Sequence, residues 1–116
     1  MILVGDYMSY KKLVRDNIPD IIKNNGEIPI TRILSNGEYK FELEKKLLEE
    51  CNEVIKSTGE DRIEELADLL EVMMALCKIE SKTLEDIINV CQTKRQKRGA
   101  FDKMIYLVDV QKSREN

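Results

Sequence analysis

The chain has 116 residues, enough for one domain around a single core and too few for two. Its 42% hydrophobic and 35% charged residues, with only 5 Gly and 2 Pro, describe a helix-rich protein and exclude disorder and collagen-like repeats. With 19 Lys and Arg against 22 Asp and Glu, the formal net charge of −3 provides no overall basic field to draw the chain onto a nucleic acid polymer or an anionic membrane.

In chain order, the run Asp16-Asn17-Ile18-Pro19 followed by Ile21, Ile22 and Gly26 predicts a short helix over residues 17–25: a capping residue, a proline in the first turn and a closing glycine. Residues 28–34 mix β-branched side chains with Pro29 and predict a brief extended connection. Ser35, with Glu38 three residues on, has the spacing of a capping box and opens a long helix whose inner row is Leu43, Leu47, Cys51 and Val54. Ser57-Thr58-Gly59 interrupts it. A second long helix is predicted over residues 61–79, striped by Ile63, Leu66, Leu70, Met73 and Cys77. Leu69, Val72, Met74 and Leu76 widen its apolar arc beyond what one hairpin partner covers, which predicts a central position or a subunit interface. Thr83 starts a third long helix that runs into Lys94-Arg95-Gln96-Lys97-Arg98 and stops at Gly99, acids first and bases last as the macrodipole favours. Residues 104–110 are β-branched and apolar and predict a short strand. The organisation expected is an all-α antiparallel bundle: a tail at residues 1–9, one domain at 10–110 and a second tail at 111–116, with short peripheral strands at most.

Histidine and tryptophan are absent, which removes Ser-His-Asp triads, Cys-His dyads and imidazole zinc sites. Acid, base and metal chemistry falls to carboxylates. Cys51, Cys77 and Cys91 are odd in number and widely spaced among apolar neighbours, and are expected as reduced, buried thiols. No apolar run reaches the roughly 20 residues that cross a bilayer, and Met1-Ile2-Leu3-Val4 lacks a basic leader, so a cytoplasmic protein with no membrane partner is expected.

Two carboxylate couplets stand out, Glu50 with Glu53 and Glu65 with Asp68, each at i, i+3 and so on a shared helical face. The short link between the helices forces an antiparallel hairpin, in which residues equidistant from the turn lie level. Counted from Gly59, Glu53 pairs with Glu65 and Glu50 with Asp68. These two rungs are about 4.5 Å apart on helices whose axes are roughly 8–10 Å apart. Glu50 and Glu53 lie about 60° and 120° from Leu47, at the edge of the apolar row, while Glu49 points roughly the other way, into solvent. Acid pairs on helices are most often solvated faces. The alternative is that the four gather a hard cation, since burying such charges without one is costly. Mg²⁺ suits best, accepting a few carboxylates and leaving room for water and substrate phosphates. The basic residues near the C-terminus serve either as dipole partners or as a phosphate clamp, with Lys94 and Arg98 at i, i+4 and Gly99 allowing a tight turn. Lys12 and Arg15 form a smaller basic pair, and Lys46, one turn before Glu50, either neutralises the acids or reaches a phosphate.

Glu49-Glu50-Cys51-Asn52-Glu53 with Glu65-Leu66-Ala67-Asp68 resembles the E-E-x-x-E … E-x-x-D signature of the all-α nucleoside triphosphate pyrophosphatases of the MazG superfamily. Lys12-Leu13-Val14-Arg15-Asp16-Asn17-Ile18-Pro19, and Lys94 with Arg98-Gly99-Ala100-Phe101, resemble the flanking elements of its branch similar to phosphoribosyl-ATP pyrophosphohydrolase. The resemblance implies hydrolysis between the α- and β-phosphates of a nucleoside triphosphate, in the manner of house-cleaning enzymes for noncanonical nucleotides. By the same resemblance Glu50, Glu53, Glu65 and Asp68 are the catalytic and metal residues, with Mg²⁺ as cofactor and Mn²⁺ as a substitute. Which carboxylate is the base stays open. Lys12, Arg15, Lys46, Lys94 and Arg98 are expected to bind substrate, and Tyr39, Phe41, Asn17 or a neighbouring subunit to read the base and sugar. The assembly implied is a homodimer or homotetramer. Two alternatives stand beside this reading: phosphoribosyl-ATP pyrophosphohydrolase itself, and a non-catalytic helical interaction module whose acids are surface charge.

Overall fold

The computed structural model describes residues 11–114; the residues before and after them, including most of the expected N-terminal tail, lie outside. Four helices follow one another: α1 (Ile18–Asn24), α2 (Asn36–Lys56), α3 (Gly59–Ile79) and α4 (Leu84–Arg98). No strand occurs among the described residues, and the fold is all-α. The chain divides after Leu84 into two units.

In the first unit, α1 begins one residue after the sequence suggests. The Ile18 amide donates to the Arg15 carbonyl at 3.0 Å, Pro19 sits in the first turn where no amide is needed, and Asn17 makes no side-chain cap. Residues 28–34 are irregular, as expected of a connection. The α2 start forms the full capping box: the Glu38 amide donates to Ser35 Oγ at 3.3 Å and the Ser35 amide donates to Glu38 Oε1 at 3.1 Å. Arg32 adds a two-pronged clamp, Nη1 to Oε1 at 3.2 Å and Nη2 to Oε2 at 2.7 Å. Those bonds from Arg32, then from Ser35, hold the Glu38 carboxyl down at about 2.

Helices α2 and α3 pack side by side as an antiparallel hairpin. Only Ser57 and Thr58 separate them, so α3 starts two residues earlier than its periodicity suggests. The link is held by Ser57 Oγ donating to the Glu53 carbonyl at 2.6 Å and Arg62 Nε donating to the Ser57 carbonyl at 2.8 Å. At φ +59, Gly59 takes a backbone conformation in which a side chain would be strained, and this lets the reversal be so tight.

Along α2 the inner row is the expected one, with Leu43 buried and Leu47, Cys51 and Val54 half-buried. On α3 the structure differs. The row against α2 is Glu65, Leu69, Val72 and Leu76, buried or half-buried, whereas Ile63, Leu66, Leu70 and Met73 of the expected stripe are exposed and only Cys77 of that stripe is buried. One partner helix covers about a third of the circumference of another, so a helix with two apolar rows leaves one of them open. At the far end of α3, Lys82 donates its amide to the Cys77 carbonyl at 2.9 Å and Ser81 donates to Lys78 at 3.0 Å, with Ser81 itself at φ +59. That pairing is a Schellman stop with serine in the place usually held by glycine.

In the second unit, α4 places Glu85 and Asp86 in its first turn and Arg95, Lys97 and Arg98 in its last, and ends at Gly99 with φ +81. The strand expected over residues 104–110 is not formed, because extended chain becomes a strand only by laddering with a neighbour and these residues have none. All three cysteines are free thiols, but only Cys77 is buried. Cys51 is half-buried and Cys91 is exposed, on a helix that buries no residue. No described helix is long and apolar enough to cross a membrane.

Candidate functional site

The two-residue link sets the heights of the acids. Glu50 lies seven residues before Ser57 and Glu65 seven after Thr58, so these two are level, and Asp68 stands one turn above Glu65 on the same side of α3. Carboxylate oxygens of Glu50, Glu65 and Asp68 come within 4.8 Å of one another. Glu53, which the count from Gly59 put level with Glu65, is exposed and outside that group of three. The earlier start of α3 is the reason: it shifts the register and leaves Glu53 nearer the turn. Glu49 is exposed, as its angle on the helix requires.

All three clustered acids are half-buried. Partial burial, then the charge of Asp68, pushes the Glu50 carboxyl up; Lys46 opposes this, while Glu49 and Glu53 reinforce it. Glu65 is raised by the same causes in the same order, desolvation first, then Asp68, Glu53 and Glu50, with Asp61 adding least. Glu53 therefore contributes its field even though its oxygens lie outside the group. The arrangement resists full ionisation and would be relieved by a cation.

Arg15 supplies part of that relief. Its Nη2 donates to Asp68 Oδ1 at 2.7 Å, with both side chains about half exposed, and so ties the segment before α1 to α3 across 53 positions of sequence. A contact of that separation leaves no trace in local spacing, and the sequence pointed Arg15 at a phosphate instead. Lys46 is half-buried near Glu50, and Lys12 is exposed. Lys94 and Arg98 are exposed and one turn apart on α4.

Among the residues expected to read a base, Tyr39 lines an open groove of about 650 Å³ with Lys40, Lys78 and Ile79, at the end of the hairpin away from the link. It is 11 residues from Glu50 along α2, about 16 Å. Phe41 is 59% exposed, and Asn17 is exposed beside Arg15 in sequence.

No family model matches the chain. Over 43 residues it is 46% identical to an uncharacterized protein of Mycolicibacterium smegmatis, a stretch covering 37% of this chain and 44% of that one. The chain thus spans less than half the length of the relative it matches. No solved structure matches.

Proposed function

We propose that the protein is a Mg²⁺-dependent nucleoside triphosphate pyrophosphohydrolase, which adds water between the α- and β-phosphates and releases a nucleoside monophosphate and pyrophosphate, clearing noncanonical nucleotides. The observation that carries this reading is the meeting of Glu50, Glu65 and Asp68 from two helices, within 4.8 Å and with two of the three carboxyls pushed up. The resemblance of the acid and flanking motifs to the MazG superfamily supports it.

The donor set suits the ion. Oxygens on opposite sides of Mg²⁺ are about 4.1 Å apart, so a group spanning up to 4.8 Å needs only small side-chain rotations. Glu50, Glu65 and Asp68 would hold it, with Glu53 as the fourth acid of the motif, and the bound cation supplies Lewis acidity and acidifies water. The remaining work falls to the protein. A carboxylate whose affinity for protons is already raised takes a proton from the attacking water, which suits Glu50 or Glu65. Arg15 keeps Asp68 oriented. Lys46 and Lys12, with Lys94 and Arg98, offset charge on the departing pyrophosphate. Free thiols suit action in the reducing cytoplasm.

Pyrophosphate release measured over canonical, deoxy and damaged triphosphates tests the reading. Glu50→Ala and Asp68→Ala should each lower Mg²⁺-dependent release by about 100-fold or more with helicity unchanged, and full activity in either variant would overturn it. Turnover of phosphoribosyl-ATP in place of triphosphates would identify the related hydrolase. The exposed apolar residues of the hairpin favour the interaction module as the second reading. Isothermal titration with Mg²⁺ and a nonhydrolysable triphosphate decides, because a module with solvated acids gives no heat.

A further inference from the structure

The hairpin has a second face. On α2, Phe41, Leu48 and Ile55 recur every seven residues and are 59%, 68% and 73% exposed. On α3, Ile63, Leu66, Leu70 and Met73 alternate steps of three and four and are 59%, 42%, 39% and 37% exposed. A seven-residue repeat split three and four is the spacing of a helix seam, since it keeps one side chain per turn on a line facing a partner helix.

The two rows share one face. Glu50 and Asp68 are displaced in the same rotational sense from the line along which α2 and α3 touch, and in an antiparallel pair that brings them together, as the cluster demonstrates. Leu48 and Leu66 each precede one of those acids by two residues, and residues two apart lie about 160° apart around a helix. The apolar rows are therefore displaced in the opposite sense and meet on the side of the hairpin away from the acids.

At about 200 Å² for a large apolar side chain, the seven leave about 750 Å² open. An ordinary monomer's largest patch is about 300–600 Å², and one partner of a standard stable interface contributes roughly 800 Å². Within the described residues the buried apolar core is Leu43, Val72 and Cys77, a small interior for four helices.

We propose that this face is the interface between two copies of the chain, the hairpins packing as a four-helix layer with Leu48, Leu66 and Leu70 at its centre. A second copy is the occupant because the patch matches one partner's share of a self-association interface, and its heptad rows can interleave with their own copies about a two-fold axis. The acids stay on the outer side of each hairpin. The inference does not depend on the enzymatic reading.

Sedimentation equilibrium of the full chain tests it. The wild type should have at least twice the mass of one chain. Leu48→Glu and Leu70→Glu should each lower the mass at least twofold while circular dichroism keeps its helical signal, and Glu64→Lys, on an exposed flank of α3, should leave it unchanged. Leu48 is the safer of the two for folding because it is 68% exposed. A monomeric wild type, or an assembly that survives Leu48→Glu, would overturn the proposal whatever the activity assays give.

Discussion

The two faces of the α2–α3 hairpin are made by the same pair of helices, yet one carries Glu50, Glu65 and Asp68 and the other Leu48, Leu66 and Leu70. Two residues separate each acid on the first list from a leucine on the second, in one direction or the other, except for Glu65, which is adjacent to Leu66. The difference shows how little sequence distance divides chemistry from association on a helix: a step of one or two residues turns a side chain through about 100° or 160°. Both faces are also uncomfortable in isolation, one through charges that meet in a partly dry place and the other through apolar surface left in water.

The sharpest way to break the comparison is to swap neutral glutamine into the two adjacent positions. Glu65→Gln should lower pyrophosphate release by about 100-fold without altering mass, and Leu66→Gln should weaken association, seen as a mass that falls on dilution. Next in size is Leu43→Ala. This residue is 3% exposed on the contact line that both faces share, and its truncation should cost about 2–4 kcal/mol in urea unfolding, loosening both faces together. Ser35→Ala removes the hydroxyl that caps α2 and should cost about 1 kcal/mol by the same measurement.

The smallest effects are in pH. Folded Glu50 and Glu65 hold protons more tightly than the unfolded chain, whose carboxyls titrate near 4.5. Their contribution is most favourable below that pH and is lost as pH rises through the raised folded values. Glu38 runs the other way: held at about 2, it contributes above 4.5, and that is lost as pH falls toward 2. Metal-free Glu50→Gln should therefore raise Tm by about 1–3 °C at neutral pH, while Mg²⁺ should raise Tm in the wild type and less in the variant. A Tm unchanged by both would place the acids in open water.

The helices and the start of α2 were legible because capping and periodicity are local: Ser35 and Glu38 state the helix start in four residues, and Leu43, Leu47, Cys51 and Val54 keep their expected side. The packed row of α3 was not, since that helix carries two apolar rows and sequence alone does not tell which meets α2. Glu53 left the group of three for a related reason, the two-residue shift in where α3 begins. The Arg15–Asp68 bond was out of reach of any spacing rule, and the unladdered residues 104–110 show that β-branched composition needs a neighbouring strand before it becomes one.

The link of Ser57 and Thr58 has no slack. One extra residue there would lift α3 by about 1.5 Å and wind it by about 100° against its neighbour, unless a helix end melted to absorb it. Glu65 would leave the cluster and the leucines would leave their seam in the same movement. Length at this corner is thus a single setting read by two surfaces, and relatives that lengthen it would have to retune both.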